Sequence, residues 1–365
     1  MNLSQLFLTS SLVFSVSFSQ AAPSATSTKN EKKQSKAAKS QTVKNSDKQT
    51  TVKTSASETG ITTASAPGIR RPMVNSSISE FTFQPAQGYQ SLSARTVYAS
   101  RLSNIRFKKN GIEGKDFQSS KGFLLLTRYD RGLMNGWGIS GEIGTTMGPM
   151  ETSSRSEKSG RSKGFTDLTF TARNHRDIKL GELTYGGLLT FSPYERELST
   201  NRDDGNMQTG GHSLGGFVGL QQEKQNYVLG GQFKHQMFLD RSQTYKTASN
   251  VRTNVAISNG NTFEVEGFLE VPRGVQLYGA STSLTHTLPT DYTYRQGANK
   301  LDVSSENYNL FKVAAYGNFT FSTMKNLEVI PQVSYQKVMD ESGGSLSVSE
   351  NSEESMITLG ARLSL

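Results

Sequence analysis

Met356-Ile-Thr-Leu-Gly-Ala-Arg-Leu-Ser-Leu365 carries Ile357, Leu359, Ala361, Leu363 and Leu365 at every second position. Thr358, Gly360, Arg362 and Ser364 lie between them. A β-strand sends successive side chains to opposite faces. This strand therefore has one wholly apolar face and one that is small, polar or charged. The pattern returns upstream. Trp137, Ile139, Gly141, Ile143 and Thr145 alternate with Gly138, Ser140, Glu142 and Gly144. Phe263, Val265, Gly267 and Leu269 alternate with Glu264, Glu266 and Phe268. Period two dominates, and no long window has a helical period.

Segments of about ten alternating residues separated by turns are the mark of transmembrane β-barrel strands. Such a length suits a tilted crossing of a bilayer. Twelve strands are expected, at about 91–101, 122–131, 137–146, 166–174, 183–192, 213–222, 227–239, 250–258, 262–271, 307–321, 327–338 and 355–365. Short connections, at 133–136, 175–181, 223–226, 259–261 and 322–326, take turns with longer, hydrophilic ones. The stretch 272–306 reads as a long outer loop, although Val275 to Thr287 alternates weakly. Ten to fourteen strands are compatible with the pattern. The fold class is all-β, an antiparallel up-and-down barrel. A secreted β-sandwich or β-helix would explain the alternation but not the unequal rims.

These alternating segments, the signal-like start and the strand ending at Leu365 resemble a bacterial outer-membrane β-barrel protein of porin-like type. The resemblance covers about 91–365. It implies residence in outer-membrane lipid and recognition of 356–365 by the barrel insertion machinery. In that class the last residue is usually aromatic, and Leu365 departs from this.

The amino-terminal region reads differently. Residues 1–21, with an apolar stretch from Leu6 to Phe18 and small residues at Ser19 and Ala21, have the form of a signal peptide. Met1 to Gln5 lack the usual Lys or Arg. Residues 22–71 are rich in Ser, Thr and Lys and too poor in apolar side chains to offset chain entropy, so a disordered periplasmic linker is expected. Between 29 and 53, eight lysines face two acids, which supplies six of the chain's formal +9. That tail could touch an anionic periplasmic partner. It lacks interleaved aromatics, so nucleic-acid binding is not indicated. The barrel domain is placed at 72–365. With no Cys, disulfides and Cys-ligated metals are excluded.

If the apolar face meets lipid, the other lines a lumen. That face would hold Arg128, Glu142, Asp167, Arg173, Lys234, Arg252, Glu264, Glu266, Lys312, Glu328 and Arg362, with Gln232 among them. Each charge would be costly on a lipid face, by a few kcal/mol near the midplane. Both signs occur, which fits an open pore or a plugged network of ion pairs equally. The expected function is passive diffusion of small polar solutes, without catalysis, cofactor or metal. One alternative is a structural, plugged barrel with its basic tail as a periplasmic tether. Another is an outer-membrane hydrolase using Ser213 and His212. Gly211-His-Ser-Leu-Gly-Gly216 contains the form of a nucleophile elbow but lacks the strand-to-helix setting that the motif requires. As neighbours on a strand, Ser213 and His212 would face opposite ways. Asp203-Asp-Gly-Asn206 has oxygens that suit calcium, though a turn explains it as well.

Overall fold

The computed structural model describes residues 75–365 apart from 110–111, 155–159, 195, 200–206, 208–210, 247–251, 275, 306, 322, 342–345 and 349–352. The signal-like and Lys-rich stretches lie outside the described residues, as does Asp203 to Asn206.

Twelve antiparallel strands close into one barrel. They are β1 Gln90–Lys109, β2 Ile112–Gly132, β3 Trp137–Thr146, β4 Leu168–Ile178, β5 Gly181–Phe191 and β6 Ser213–Glu223. After these come β7 Val228–Phe238, β8 Thr262–Arg273, β9 Gln276–Thr287, β10 Tyr308–Phe321, β11 Met324–Glu341 and β12 Glu353–Ser364. Each pairs with the next, and β12 returns to β1 with Ser91 opposite Ser364 and Leu92 opposite Leu363. The carboxy-terminal stretch is therefore the seam. Gln90 and Leu365 exchange backbone hydrogen bonds of 2.9 and 3.3 Å across it. Closure removes the sheet edges, which a sheet in hydrocarbon requires.

The two faces are inverted relative to a water-soluble barrel. On β12, Leu363 is 41% exposed and Leu359 60%, whereas Arg362 is 1% exposed. Leu214 and Val218 on β6 and Val265 and Leu269 on β8 are exposed in the same way. A continuous apolar exterior of this kind faces lipid. Aromatic pairs lie toward its two ends. Trp137 meets Tyr185 edge-on at 5.9 Å near one rim, and Tyr98 lies 5.0 Å from Phe123 toward the other. Such rings favour the membrane interface.

The rims differ as expected. Tight turns join β2–β3, β4–β5, β6–β7, β8–β9 and β10–β11 on the rim that also holds Gln90 and Leu365. The longer connections lie on the opposite rim, although β1 and β2 stay paired as far as Lys109 and Ile112 and are joined there by two residues only. On the same rim, Arg196–Ser199, Arg241–Lys246, Arg252–Ser258, Asp291–Gln296 and Asn299–Ser304 build a separate five-stranded sheet. Val255, Ile257, Tyr292, Tyr294 and Val303 are its buried apolar residues.

The strand count of twelve holds, but two assignments exchange places. The segment 250–258 is not wall: Arg252–Ser258 belongs to the outer sheet. The segment 275–287 is not loop: Gln276–Thr287 is β9, paired on both sides. Alternation reports a half-buried strand and not what lies on either side of it. The outer-sheet strand alternates because it packs Val255 and Ile257. β9 alternates weakly because Ala280 and Thr282 take lipid-facing positions opposite inward Ser281 and Ser283. The turn from Arg273 to Gln276 needs only two residues, with Gly274 at φ +59°. The expected short turn at 259–261 consequently lies on the long-loop rim.

Residues 75–89 form no part of the wall. They make a closed loop whose ends meet at an Asn75–Pro85 bridge. Asn75 holds the loop in shape. Its Oδ1 accepts the N–H groups of Ser77 and Gln84 at 3.0 and 3.1 Å, and its Nδ2 donates to Ser79 O at 3.1 Å. The loop leaves toward β1 by passing over Gly132 at the turn rim. A Cβ at 132 would stand 2.1 Å from Ala86 O and 2.2 Å from Pro85 O, so the backbone approach requires glycine there. Gly132→Ala is expected to push the loop off its seat while the barrel still closes. Protease nicking within 75–88 of the inserted protein should rise, with the heat-modifiable gel shift retained.

Candidate functional site in the barrel lumen

The lumen has two halves of different character. The half near the tight turns is filled by the loop 75–89. Three buried carboxylates of wall and loop organise it. Glu270, at the end of β8, accepts the N–H groups of Glu80 at 3.0 Å and Phe81 at 2.7 Å. It also accepts the Tyr316 hydroxyl at 3.0 Å. Gly279 on β9 leaves the space for that phenol, since a Cβ there would lie 2.2 Å from the Tyr316 ring. Glu182, at the start of β5, accepts the Ser77 hydroxyl at 2.8 Å and the Ile78 N–H at 3.1 Å, with His175 Nδ1 at 2.9 Å. Gln221 of β6 donates to the same carboxylate.

Glu80 is the loop's own buried acid. Both terminal nitrogens of Arg362 lie 3.3 Å from its Oε1, and Asn318 Nδ2 donates to Oε2 at 2.9 Å. Arg362 also donates through Nε to Glu328 at 2.8 Å, its cross-strand partner on β11. Its guanidinium carbon stands 3.7 Å from the centre of the Phe83 ring. Burial lifts the Glu80 carboxyl well above its usual range, against the pull of Arg362 and the Asn318 amide. Removing Arg362 would leave that burial less opposed.

Apolar contacts complete the seat. Phe81 stacks on Phe268 at 4.5 Å and 16°, beside Val228, Leu277 and Tyr316. On the other side Arg173 donates to Phe83 O at 3.1 Å, and Gln84 donates to Gly136 O at 2.9 Å in the β2–β3 turn.

The half toward the long loops is not filled. A cavity of about 240 Å³ lies there, lined from many strands of the wall by Glu142, Asp167, Lys234, Glu264, Lys312 and a set of threonines, with apolar Leu124, Leu126, Leu188, Phe238 and Leu310 among them. Thr290 and Tyr292 of the outer connections reach it from the rim. Lys234 Nζ lies 3.2 Å from Glu264, Gln232 donates to Glu266 at 3.1 Å, and Arg95 pairs with Glu142. Deeper, Arg128 Nε donates to Asp130 at 2.7 Å.

The residues expected on the inner face thus divide into groups. Arg173, Glu328 and Arg362 meet the loop or its network. Glu142, Asp167, Lys234, Glu264 and Lys312 line the cavity. Arg128 and Glu266 make polar contacts within the wall. Arg252 does not join them, because its strand belongs to the outer sheet. Sequence reading missed Glu80, Glu182, Glu270 and Arg95. Glu270 was within reach, since it continues the inward series Glu264, Glu266, Phe268. Glu80 was not, because it lies on no alternating segment.

Ser213 and His212 do not form a nucleophile pair. Ser213 Oγ is buried and accepts from Gln236 at 2.8 Å. The His212 ring stacks on Phe191 at 5.0 Å, and its Nδ1 accepts the Ser192 N–H at 3.2 Å. Among the described residues, no group of three or more His, Cys, Asp or Glu is placed to hold a metal ion.

No protein-family model matches the sequence, and no curated protein matches it. Over 77% of its length the chain is similar in structure to the COG4313 outer membrane channel from Pseudomonas putida F1, at 12% identity and a TM-score of 0.48, spanning 96% of that protein. Over 76% it is similar to the Pseudomonas putida toluene transporter TodX, at 10% identity and a TM-score of 0.40, spanning 90% of it. Over 76% it is also similar to the outer membrane protease OmpT from Escherichia coli, at 10% identity and a TM-score of 0.39, spanning 97%. A transporter and a protease stand at the same distance, so these likenesses carry nothing about activity. Closure, the apolar exterior and the unequal rims make the chain a twelve-stranded β-barrel of the outer-membrane class, with its own amino-terminal loop seated in the lumen.

Proposed function

We propose that the barrel is a channel for small polar solutes, held shut at its tight-turn end by residues 75–89. The observation that carries this reading is the division of the lumen. Small barrels that serve only as anchors can be filled by their own wall side chains. Here the wall leaves a cavity of mixed lining, charged, hydroxyl and apolar, and the obstruction beyond it comes from a loop that adds no strand to the sheet. Hydroxyls and charged groups of both signs along the cavity suit hydrated solutes. The tight-turn rim is the periplasmic one in this reading, as in bacterial barrels generally. Asn75 and Gln90 both lie at that rim, which supports placing the Lys-rich residues 22–71 in the periplasm.

A second reading, a plugged barrel acting as an envelope anchor, draws on the same loop and its dense hydrogen bonding. The Lys-rich stretch would then tether the barrel to an anionic partner. Single-channel recording in planar bilayers separates the two. The full chain is expected to show rare, brief openings. The chain lacking residues 75–87, folded and inserted by gel shift, is expected to show long, stepwise ones. Silence from that inserted variant would favour the anchor.

A further inference from the structure

We infer that the tight-turn half of the lumen is an exchangeable peptide-binding site, for a segment in which an acid precedes an aromatic residue, and that Ser77 to Phe83 is its resident ligand. The inference rests on the channel reading for its physiological use but not for its existence.

The wall treats this segment as a receptor treats a peptide. Glu182 and Glu270 accept main-chain N–H groups of Ile78, Glu80 and Phe81, contacts that any sequence supplies. Selectivity comes from side chains. Arg362 and Asn318 receive the carboxylate of Glu80, and Phe268 receives the ring of Phe81. Ordered contacts to adjacent acidic and aromatic positions define a ligand class. Glu270, Asn318, Arg362 and Phe268 are each buried to more than nine-tenths, so the site is built and not incidental.

The site also survives the ligand's departure. The barrel's backbone pairing is complete between β1 and β12 without the loop. A parallel bridge between Gln87 and Gly132 is its backbone bridge to the wall, at the very rim. Once vacated, the carboxylates would meet water in the lumen, not hydrocarbon, so they would be solvated and not orphaned. Arg362 would keep Glu328.

The test uses the full chain with Glu80→Ala and Phe81→Ala together, which leaves the seat but weakens the resident segment. A synthetic peptide of residues 75–87 is added on the tight-turn side of a planar bilayer. Its binding to the same variant in detergent is followed in parallel by anisotropy of a labelled copy. Saturable binding, with reversible block from that side alone, is expected. A peptide of scrambled order should bind roughly tenfold or more weakly, because the charged and stacked contacts depend on order. Absence of saturable binding, or equal binding of the scrambled peptide, overturns the inference whatever the channel does. Binding by a variant that is inserted but never conducts would uphold the site and overturn the channel reading.

Discussion

Arg362→Ala should both open the lumen and weaken the barrel. Arg362 is the one cation bonded to Glu80 and Glu328 among the described ion pairs, and all three are buried. Its removal leaves two buried carboxyl groups facing each other without their shared cation. Breaking a buried pair from one side costs about 3 kcal/mol or more. Water can enter this lumen once the loop moves, so the molecule relieves the cost by releasing residues 75–87. Longer and more frequent openings are therefore expected, together with a lower temperature for the gel shift, because Glu328 and Arg362 are opposite one another on the last two strands. Glu80→Ala separates the two effects. It leaves Arg362 paired with Glu328, so openings should increase while the gel-shift temperature stays near that of the parent. Equal loss of barrel stability in both variants would mean that the loop is part of the folding core.

Phe81→Ala is the second large effect, and it acts on the loop alone. Phe81 is 2% exposed and stacks on Phe268 within a buried apolar cluster of Val228, Leu277 and Tyr316. Truncating a buried Phe costs about 3 kcal/mol. That corresponds to roughly a hundredfold shift between seated and released loop. Open probability should rise by a comparable factor if the loop is the barrier, while unitary conductance is unchanged, since Phe81 is not part of the wall. Phe81→Leu should recover most of the closure through apolar burial alone. An open probability unmoved by Phe81→Ala, in protein verified as inserted, would place the barrier elsewhere, with the outer connections around Thr290 and Tyr292 the next to examine.

The barrel was legible in the sequence because a bilayer imposes two strict rules. Every wall strand must show period two, and charge must face inward. Ile357 to Leu365 obeys both. Arg362, Glu328, Lys234 and Glu264 could accordingly be named as inward residues from spacing alone. The same rule misled at two places. Arg252 to Ser258 obeys period two in a sheet outside the membrane, and Gln276 to Thr287 obeys it so faintly that its lipid face includes Ala280 and Thr282. Period two identifies a strand with two unlike sides. Only pairing, as of Tyr278 with Gly317 or of Ile257 with Tyr292, decides which sheet owns it.

The loop was decided by tertiary structure alone. Asn75 to Tyr89 has no period to read, because its contacts lie on strands distant from it and from each other in sequence: Glu182 on β5, Gln221 on β6, Glu270 on β8, Asn318 on β10 and Arg362 on β12. Those residues converge only because the sheet closes on itself, which brings strand ends 180 residues apart within a few ångströms of one peptide. Alternation along a strand is a local consequence of backbone geometry and is written in the sequence. What fills the space that the strands enclose is a consequence of closure, and it appears only once the barrel is formed.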